Sequence, residues 1–561
     1  MRDRYWHIQM FLPEGKKGIK IDSSLMLREE KSIIGTGEWD DIQCKYFKGE
    51  NNGLAIGDIV LVREGSRPLA LCRIIGDCFH DDNLTDKYIN YWFRYVEVLE
   101  WADSKEWNTL FSQGTLKILY KHSDTPSWNY INNWYKQILR KADMKETIDL
   151  LLYKHQIIFQ GAPGTGKTYT AKDISEQLIY GRVSSDKKEQ AERLKTSEQY
   201  KLIQFHPAYT YEDFVRGIVI DTENGQPEYI TQNKVLGEFA ARALKNLEDS
   251  KKSTSKLAEE KSFEKKLDEY KEKIRGIIAE KTEYPIGTTT ARIIEVSDDS
   301  FKYNYEGNRV IIFNLLFSDL IKMHNSGKTF TRVKDVDDFG LAMKGKGSYY
   351  FPLYNETLAL SIEEVIQQEE IPEKPYILIV DEINRANLPA VLGELIYALE
   401  YRDERVDSIY AIERDNGLVL PHNLYIIGTM NTADRSVGQI DYAIRRRFAF
   451  VDMLPKKLDT EGFEETLFKT VSELFIKSYD DYINTGKIEP AGCLSEEFRS
   501  EDVWIGHSYF IMPDKEGNDI KEMRIKYEII PILKEYLKDG IFNDRKEVER
   551  VISELLAAAQ E

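Results

Sequence analysis

The pattern of hydrophobic positions along the chain changes near residue 151. Beyond this point, short uninterrupted apolar runs alternate with stretches of helical periodicity; the runs lie at 157–159, 202–205, 377–380, 425–428 and 448–451. Strands without in/out alternation, separated by helices, are typical of a parallel sheet that helices cover on both faces. We therefore predict an α/β domain over residues 151–454, followed by a helical lid subdomain over 455–561.

The first 150 residues follow another pattern. In residues 1–103, β-branched runs bounded by glycine and proline lie at 56–63, 68–75 and 91–99, which predicts a small β-barrel-like α+β domain. Residues 104–150 are predicted to be a helical connector, because large apolar side chains recur there at helical spacing. These side chains are Trp128, Ile131, Trp134, Tyr135 and Ile138.

A long interruption separates the second and third strands of the predicted α/β domain. Residues 249–275 are rich in lysine and glutamate, and 290–352 contain short strand-like runs. The first stretch is typical of a solvated helix or a flexible arm. We treat about 249–352 as an insertion.

Composition limits the possible functions. The chain has 561 residues, 42% hydrophobic and 31% charged, an ordinary globular balance for two to four domains. Its net charge of -18 excludes nucleic-acid binding through the overall field, so any DNA contact needs a local site. Four cysteines without a CxxC pair, no signal peptide and no membrane-length apolar run favour a cytoplasmic protein with no membrane partner.

The strongest chemical signal is a glycine-rich motif, GxxxxGK[ST], between a predicted strand and a predicted helix. Its glycines let backbone N–H groups surround phosphate oxygens at the positive end of the helix dipole. We expect Lys167 to bridge the β- and γ-phosphates and Thr168 to bind Mg²⁺; a glycine turn without ligand is the alternative. The motif comprises Gly161, Ala162, Pro163, Gly164, Thr165, Gly166, Lys167 and Thr168.

Two acids and an amide follow later apolar strands. Asp381 and Glu382 end the run at 377–380, and Asn431 follows the run that begins at 424. Ligands bind at the carboxyl ends of strands in open α/β sheets. We predict that Asp381 holds Mg²⁺ through water, that Glu382 polarises the attacking water, and that Asn431 contacts that water or the γ-phosphate. Two solvated acids and a turn-forming asparagine are the alternatives.

Three adjacent arginines, Arg445, Arg446 and Arg447, lie before the last strand. They cannot all point the same way from a helix. Arg446 and Arg447 are predicted to reach the nucleotide of a neighbouring subunit, where a guanidinium offsets the charge of the transferring phosphoryl group. Arg385 is a second candidate for this trans contact, and a solvated basic helix end is the alternative.

These stretches together resemble the McrB family of AAA+ proteins, motor subunits of modification-dependent restriction systems. The resemblance covers about 150–535 without the insertion, and it implies an AAA+ P-loop NTPase that forms a homo-oligomeric, hexameric ring. It also implies Mg²⁺, GTP rather than ATP, and a separate McrC-like nuclease partner. Ala162, where relatives often have proline, contributes only backbone. The matching strings lie at 205–214, 381–387, 430–436, 441–448 and 505–510.

The N-terminal domain resembles the EVE/YTH/PUA-like group of small barrels at residues 5–8, 34–40 and 57–62. The resemblance implies that the domain recognises modified DNA by binding a flipped base. Aromatic side chains in the pocket would stack on this base and offset the stacking energy that it loses on leaving the duplex. We rank Trp39 first as a pocket residue, then Trp6, then Trp92. Each of the three is alternatively a core residue.

The leading hypothesis is a GTP- or ATP-driven ring that recognises modified DNA and drives a partner endonuclease. An AAA+ remodelling chaperone whose N-terminal barrel binds a protein is the second hypothesis. A non-enzymatic scaffold is disfavoured because Lys167, Asp381 and Glu382 are intact. No nuclease motif stands out in the sequence, so we expect DNA cleavage from a partner.

Overall fold

The computed structural model of the chain describes an N-terminal domain, a long connecting helix, an α/β domain with an inserted unit, and a helical C-terminal subdomain. Among the described residues, no helix is both long and apolar enough to cross a membrane. The described residues are 4–10, 22–37, 42–65, 67–102, 115–120, 126–184, 186–221, 228–305, 308–339, 343–361, 369–412, 415–434, 440–458, 460, 462–513 and 519–560.

The N-terminal domain is a mixed six-stranded sheet with short helices. Its elements are β1 (Arg4–Gln9), α1 (Ser24–Leu27), β2 (Ile33–Thr36), α2 (Ile42–Lys48), β3 (Ile59–Glu64), β4 (Arg67–Phe79), α3 (Asp82–Tyr88), β5 (Trp92–Trp101) and β6 (Leu116–Tyr120). The strand order is β2-β5-β4-β3-β1-β6, and only β1 and β3 pair in parallel. The predicted N-terminal α+β domain is confirmed.

This sheet extends past the predicted boundary at residue 103. Strand β6 pairs antiparallel with β1, and Ile118 lies opposite Trp6. The prediction of a helical connector starting at 104 was therefore wrong for the strand Leu116–Tyr120. With only Leu116 and Leu119 buried, this short strand lacks a clear period-two pattern.

A 29-residue helix, α4 (Pro126–Lys154), connects the two halves of the chain. Its first half presents the predicted aromatic stripe to one face of the N-terminal sheet, whose alternate residues point toward it. Its second half packs Met144 and Leu151 against the α/β sheet. The buried residues between the first half of α4 and the N-terminal sheet are Tyr5, Ile59, Leu61, Leu71, Leu119, Trp128, Ile131 and Trp134.

The α/β domain is built on five parallel strands in the order β19-β7-β18-β15-β8. They are β7 (Gln156–Gly161), β8 (Tyr200–Gln204), β15 (Tyr376–Asp381), β18 (Leu424–Asn431) and β19 (Ala449–Asp452). Separate hydrophobic clusters cover the two faces, which explains why these strands lack in/out alternation. The predicted parallel sheet flanked by helices is confirmed.

Helices and two antiparallel hairpins surround this sheet. The helices are α5 (Lys167–Tyr180), α6 (Lys187–Thr196), α7 (Tyr211–Phe214), α8 (Val235–Ser250), α13 (Leu388–Leu392), α14 (Leu395–Glu400) and α15 (Tyr442–Arg447). The hairpins are β9 (Arg216–Asp221) with β10 (Glu228–Asn233), and β16 (Arg405–Ile412) with β17 (Asp415–Val419).

The insertion between α8 and β15 is a folded unit with its own core. It contains α9 (Thr254–Lys281), β11 (Tyr284–Pro285), β12 (Ala291–Val296), β13 (Ser300–Tyr305), β14 (Asn308–Leu316), α10 (Phe317–Asn325), α11 (Val333–Asp337) and α12 (Gly347–Leu358). Its four strands form an antiparallel sheet. The Lys/Glu-rich stretch is thus helical, and it buries Phe263, Leu267 and Tyr270 rather than forming a free arm.

The C-terminal subdomain is helical and has a separate core around Trp504. Its helices are α16 (Glu465–Ser472), α17 (Tyr479–Thr485), α18 (Ser500–Val503), α19 (Lys521–Arg524), α20 (Ile530–Lys538) and α21 (Arg545–Ala558).

Candidate active site

Three neighbouring strands end at the same edge of the α/β sheet. Strand β18 lies between β7 and β15. Asn431, the last residue of β18, is opposite Gly161, the last residue of β7. Val380, the residue before Asp381, is opposite Gly428 of β18. The glycine-rich loop, the acids and the asparagine therefore meet at one edge, as the sequence predicts.

The loop between β7 and α5 has a backbone that suits phosphate binding. Gly164 and Gly166 have φ angles of 80° and 83°, which residues with a side chain rarely adopt. At Gly164 a Cβ atom would also lie 2.6 Å from the ring of Tyr509. The loop leads directly into the first turn of α5, where unpaired N–H groups and the helix dipole favour an anion.

The side chain of Lys167 is buried inside this loop. Its Nζ donates to the carbonyl oxygens of Gly161 and Ala162, both at 2.8 Å. Burial lowers the pKa of Lys167 to about 8, although Glu382 and Asp381 act in the opposite direction. An ammonium removed from water in this way gains strongly from phosphate oxygens.

Asp381 lies between two threonine hydroxyls. Thr168 Oγ1 donates to Asp381 Oδ1 at 2.7 Å, and Thr429 Oγ1 donates to the same oxygen at 2.6 Å. The Thr429 hydroxyl also accepts the backbone N–H of Glu382 at 3.2 Å. Thr429 was missed in the sequence; its only signal is a hydroxyl within an otherwise apolar strand.

These oxygen atoms fit Mg²⁺, which prefers hard oxygen ligands and binds through one or two protein groups plus phosphates and water. Thr168 and Asp381 would hold it here. Within the described ranges, no group of three or more His, Cys, Asp or Glu side chains could hold a metal by itself.

The carboxylate of Glu382 has a donor on each oxygen. Asn431 Nδ2 donates to Oε1, and Arg385 Nε donates to Oε2 at 3.2 Å. Arg385 also lies 3.7 Å from a carboxylate oxygen of Asp434. Glu382 itself has left-handed backbone angles, φ 53° and ψ 46°, a strained conformation that concentrates at functional sites.

Comparison with known families identifies the domain that carries this site. Residues 348–448, which include both acids and Asn431, match the AAA domain of the dynein-related subfamily. These residues are part of an AAA domain.

Two curated proteins are similar to parts of the chain. The Type IV methyl-directed restriction enzyme EcoKMcrB subunit of Escherichia coli (strain K12) is 37% identical over 202 residues, 34% of this chain and 42% of that protein. The Type II restriction enzyme BsuMI component YdiS of Bacillus subtilis (strain 168) is 35% identical over 89 residues, 13% of this chain and 26% of that protein. The chain thus matches less than half the length of either relative. The predicted McrB resemblance is confirmed for about a third of the chain.

The arginines of the AAA domain differ in their surroundings. Arg447 is held within its own subunit, because its Nη2 lies 3.0 Å from Glu400 Oε2 and its Nη1 donates to the carbonyl of Ala443. Arg445 Nε donates to the carbonyl of Ile440. Arg446 is exposed, and among the described residues no hydrogen bond or ion pair engages its side chain. We therefore retain Arg446 as the trans candidate and assign Arg447 to holding α15.

The string 505–510 of the helical subdomain lies directly over the phosphate loop of the AAA domain. The N–H of Gly506 donates to the carbonyl of Pro163 at 2.9 Å, and that of Ser508 to the carbonyl of Gly164 at 3.0 Å. A Cβ on Gly506 would lie 1.9 Å from the carbonyl carbon of Gly164. Sequence reasoning used this string only as a family resemblance and missed its contact with the loop.

His507 is buried at this contact. Its Nδ1 accepts the backbone N–H of Lys456 at 3.2 Å, so the other ring nitrogen carries the proton of the neutral ring. Burial lowers the pKa of His507 to about 4, which keeps the ring neutral at physiological pH.

The three tryptophans proposed as a base pocket do not share one environment. Trp6 is completely buried in the N-terminal core, and its indole N–H donates to Asp58 at 3.1 Å. It therefore cannot stack on a base without unfolding of the core, because β1 points its even-numbered residues inward. Trp92 is half-buried, with Lys48 Nζ 4.2 Å from its ring centre. Trp39 lies outside the described residues.

Proposed function

We propose that this chain is a McrB-like AAA+ nucleoside triphosphatase that hydrolyses GTP or ATP with Mg²⁺. The observation that carries the proposal is the convergence of Lys167, Thr168, Asp381, Glu382 and Asn431 at one sheet edge. Positive, hydroxyl, carboxylate and amide groups in this arrangement are the parts that phosphoryl transfer to water requires.

Each group has one task in the proposed reaction. Lys167 and the loop N–H groups hold the β- and γ-phosphates. Thr168, and Asp381 through water, would hold Mg²⁺, which would offset the charge that develops on the phosphates. Glu382 accepts a proton from the attacking water while Asn431 fixes that water against the γ-phosphate. Asn431 and Arg385 each donate to one oxygen of Glu382 in the structure, and each oxygen keeps a second lone pair that can accept from the attacking water.

The exposed Arg446 supports a ring in which neighbouring subunits complete each other's sites. It lies on α15, which begins with Tyr442, 86% exposed. Contact between subunits would cover both side chains and bring a guanidinium to the next nucleotide. We infer a homo-oligomer, with six subunits by family resemblance.

Recognition of modified DNA by the N-terminal domain and a McrC-like nuclease partner complete the proposal. Their support is the family resemblance, together with a relative described as a methyl-directed restriction enzyme. In the domain itself, the half-buried Trp92 beside Lys48 offers an aromatic face and a positive charge, which suit a base and its phosphate. We place this system in the cytoplasm.

Turnover of GTP and ATP with Mg²⁺, by the wild type and by Glu382→Gln, tests the enzyme. We expect hydrolysis that needs both Mg²⁺ and Glu382, faster with GTP. A gel shift with methylated and plain duplex tests the DNA partner. Equal affinity for the two duplexes would contradict recognition of the modification, and no affinity for either would favour a chaperone that binds protein through this domain.

A further inference from the structure

A buried polar cluster lies at the opposite end of β7 from the phosphate loop. Gln156, the first residue of β7, is 2% exposed. Its Nε2 donates to the carbonyl of Leu399 at 3.0 Å and to that of Arg447 at 2.6 Å. Its Oε1 accepts from Arg402 Nη2 at 2.6 Å. One amide thus connects β7 with the end of α14 and the end of α15.

Arg402 is the charged member of the cluster. Besides Gln156, it donates to the carbonyls of Pro421 at 3.3 Å and Leu424 at 3.1 Å. Burial lowers the pKa of Arg402 to about 10. Arg402 is half-buried, and its guanidinium donates both to Gln156 at the start of β7 and to carbonyls at and just before the start of β18. These bonds fix the two strands relative to each other.

The segment fixed most firmly is the C-terminal end of α15. The carbonyl of Arg447 accepts from Gln156, and the Arg447 side chain pairs with Glu400 of α14. Immediately after α15, Ala449 of β19 pairs with Ile157 of β7. A side-chain hydrogen bond to the Arg447 carbonyl and a strand pairing thus attach the end of α15 to β7, the strand that leads into the phosphate loop. The exposed Arg446 directly precedes these contacts in the chain.

We propose that Gln156 and Arg402 are positioning residues for Arg446. They hold the end of α15 against β7, so that Arg446 reaches the nucleotide of the neighbouring subunit at a fixed distance. This inference rests on the proposed trans role of Arg446.

The test uses full-length rings of Gln156→Leu, which keeps the side-chain volume but loses all three hydrogen bonds. We expect turnover to fall about tenfold or more, since an arginine finger supplies a large share of the rate. Nucleotide affinity, measured on the same protein, should stay within about twofold, because Lys167 and Thr168 are untouched. A parallel loss of affinity would place the defect in the subunit's own site and overturn the proposal.

Mixed rings separate a trans defect from a cis defect. Glu382→Gln subunits hydrolyse only slowly but supply a normal Arg446. Added in equal amount to Gln156→Leu subunits, they should raise turnover per Gln156→Leu subunit by about threefold or more, since effects of groups that act in different subunits complement one another. Failure of this rescue would contradict a positioning role.

Gln199→Leu is the matched control. Gln199 lies at the same end of the sheet, before β8, and its Nε2 donates to the carbonyl of Pro375 at 2.8 Å. Strand β8 is at the far edge of the sheet from β19. Turnover of this variant should stay within about twofold of wild type, as for a part-buried hydrogen bond distant from the site; an equal loss would count against the proposal.

Arg402→Lys provides a second variant if Gln156→Leu does not form rings. It keeps the charge but cannot span three acceptors, and it should show the same loss of turnover and the same rescue. Arg446→Ala separates the proposed trans role of Arg446 from the proposed positioning role of Gln156 and Arg402. Normal turnover of Arg446→Ala would remove the proposed trans role itself. Impaired Arg446→Ala with normal Gln156→Leu and Arg402→Lys would remove only the positioning role.

Discussion

The side-chain amide of Asn431 donates a hydrogen bond to the carboxylate of Glu382. Asn431 ends β18 and Glu382 follows the neighbouring parallel strand β15, and the two residues are 49 positions apart in the sequence. Their contact joins the group that would take a proton from water to the group that would hold that water. Because Arg385 occupies the other carboxylate oxygen, Glu382 is held in a defined position before any water is bound.

Glu382→Gln should bind nucleotide normally and hydrolyse it slowly. Glutamine has the same shape but cannot accept the proton, so turnover should fall by about 10²-fold or more. Single-turnover hydrolysis and nucleotide affinity, measured on one preparation, check both parts. Glu404→Gln, which changes an exposed carboxylate bonded to Tyr397, is the control. Wild-type turnover of Glu382→Gln would remove the general-base assignment.

Thr429→Val should weaken the use of Mg²⁺. The Thr429 hydroxyl holds both Asp381 Oδ1 and the N–H of Glu382, and valine has the same shape without these bonds. We expect about a tenfold higher Mg²⁺ requirement for hydrolysis, as for other partners that orient metal ligands. Thr429→Ser keeps the hydroxyl and should behave like wild type. Equal Mg²⁺ titration curves for the two variants would mean that Asp381 needs no such support.

Nucleotide affinity should decrease at alkaline pH because of Lys167. The pKa of Lys167 is lowered to about 8, and phosphate oxygens raise it again in the complex by favouring the ammonium. Below about pH 7 the lysine is charged in both states, so affinity is constant; above about pH 8 binding must take up a proton, and affinity falls by up to about tenfold per pH unit. Titrations across this range check the slope.

Lys167→Arg serves as the control for this pH dependence, since a guanidinium stays charged throughout the range. Any nucleotide affinity that this variant retains should not decrease between about pH 7 and about pH 9. A flat curve for the wild type would show that Lys167 is already fully charged without nucleotide.

Arg446→Ala and Arg447→Ala should fail in different ways. Arg446→Ala should bind nucleotide, lose about 10³-fold in turnover, and regain activity when mixed with Glu382→Gln subunits. Arg447→Ala removes the contacts with Glu400 and Ala443, so it should also lower the thermal unfolding midpoint. If Arg447→Ala leaves the midpoint unchanged and Arg446→Ala leaves turnover unchanged, the two assignments are reversed.

The sequence locates the phosphate loop, the acids and Asn431 because parallel strands place their carboxyl ends at one edge, whatever lies between them. It does not distinguish Arg446 from Arg447, since that depends on Glu400 in another helix. The sequence also does not predict that Gly506 and Ser508 contact the phosphate loop at Pro163 and Gly164, because these two residues belong to a separate subdomain. Local sequence patterns therefore predicted the functional residues at the ends of individual strands. They did not predict contacts between elements that only tertiary packing brings together.

Replacement of the tryptophans tests the proposed reader domain. Trp6→Ala should destabilise this domain by about 3–5 kcal/mol, the usual result of truncating a fully buried tryptophan. Trp92→Ala should lower the thermal unfolding midpoint less than Trp6→Ala, because Trp92 is only half-buried at the edge of the core. It should also reduce affinity for modified duplex by about tenfold, the value of one lost stacking contact. Trp39→Ala is expected to act like Trp92→Ala.

Two measurements check these expectations: gel shifts with modified and plain duplex, and thermal unfolding of each variant. If Trp92→Ala and Trp39→Ala both unfold the domain, the two side chains belong to its core and the pocket must lie elsewhere.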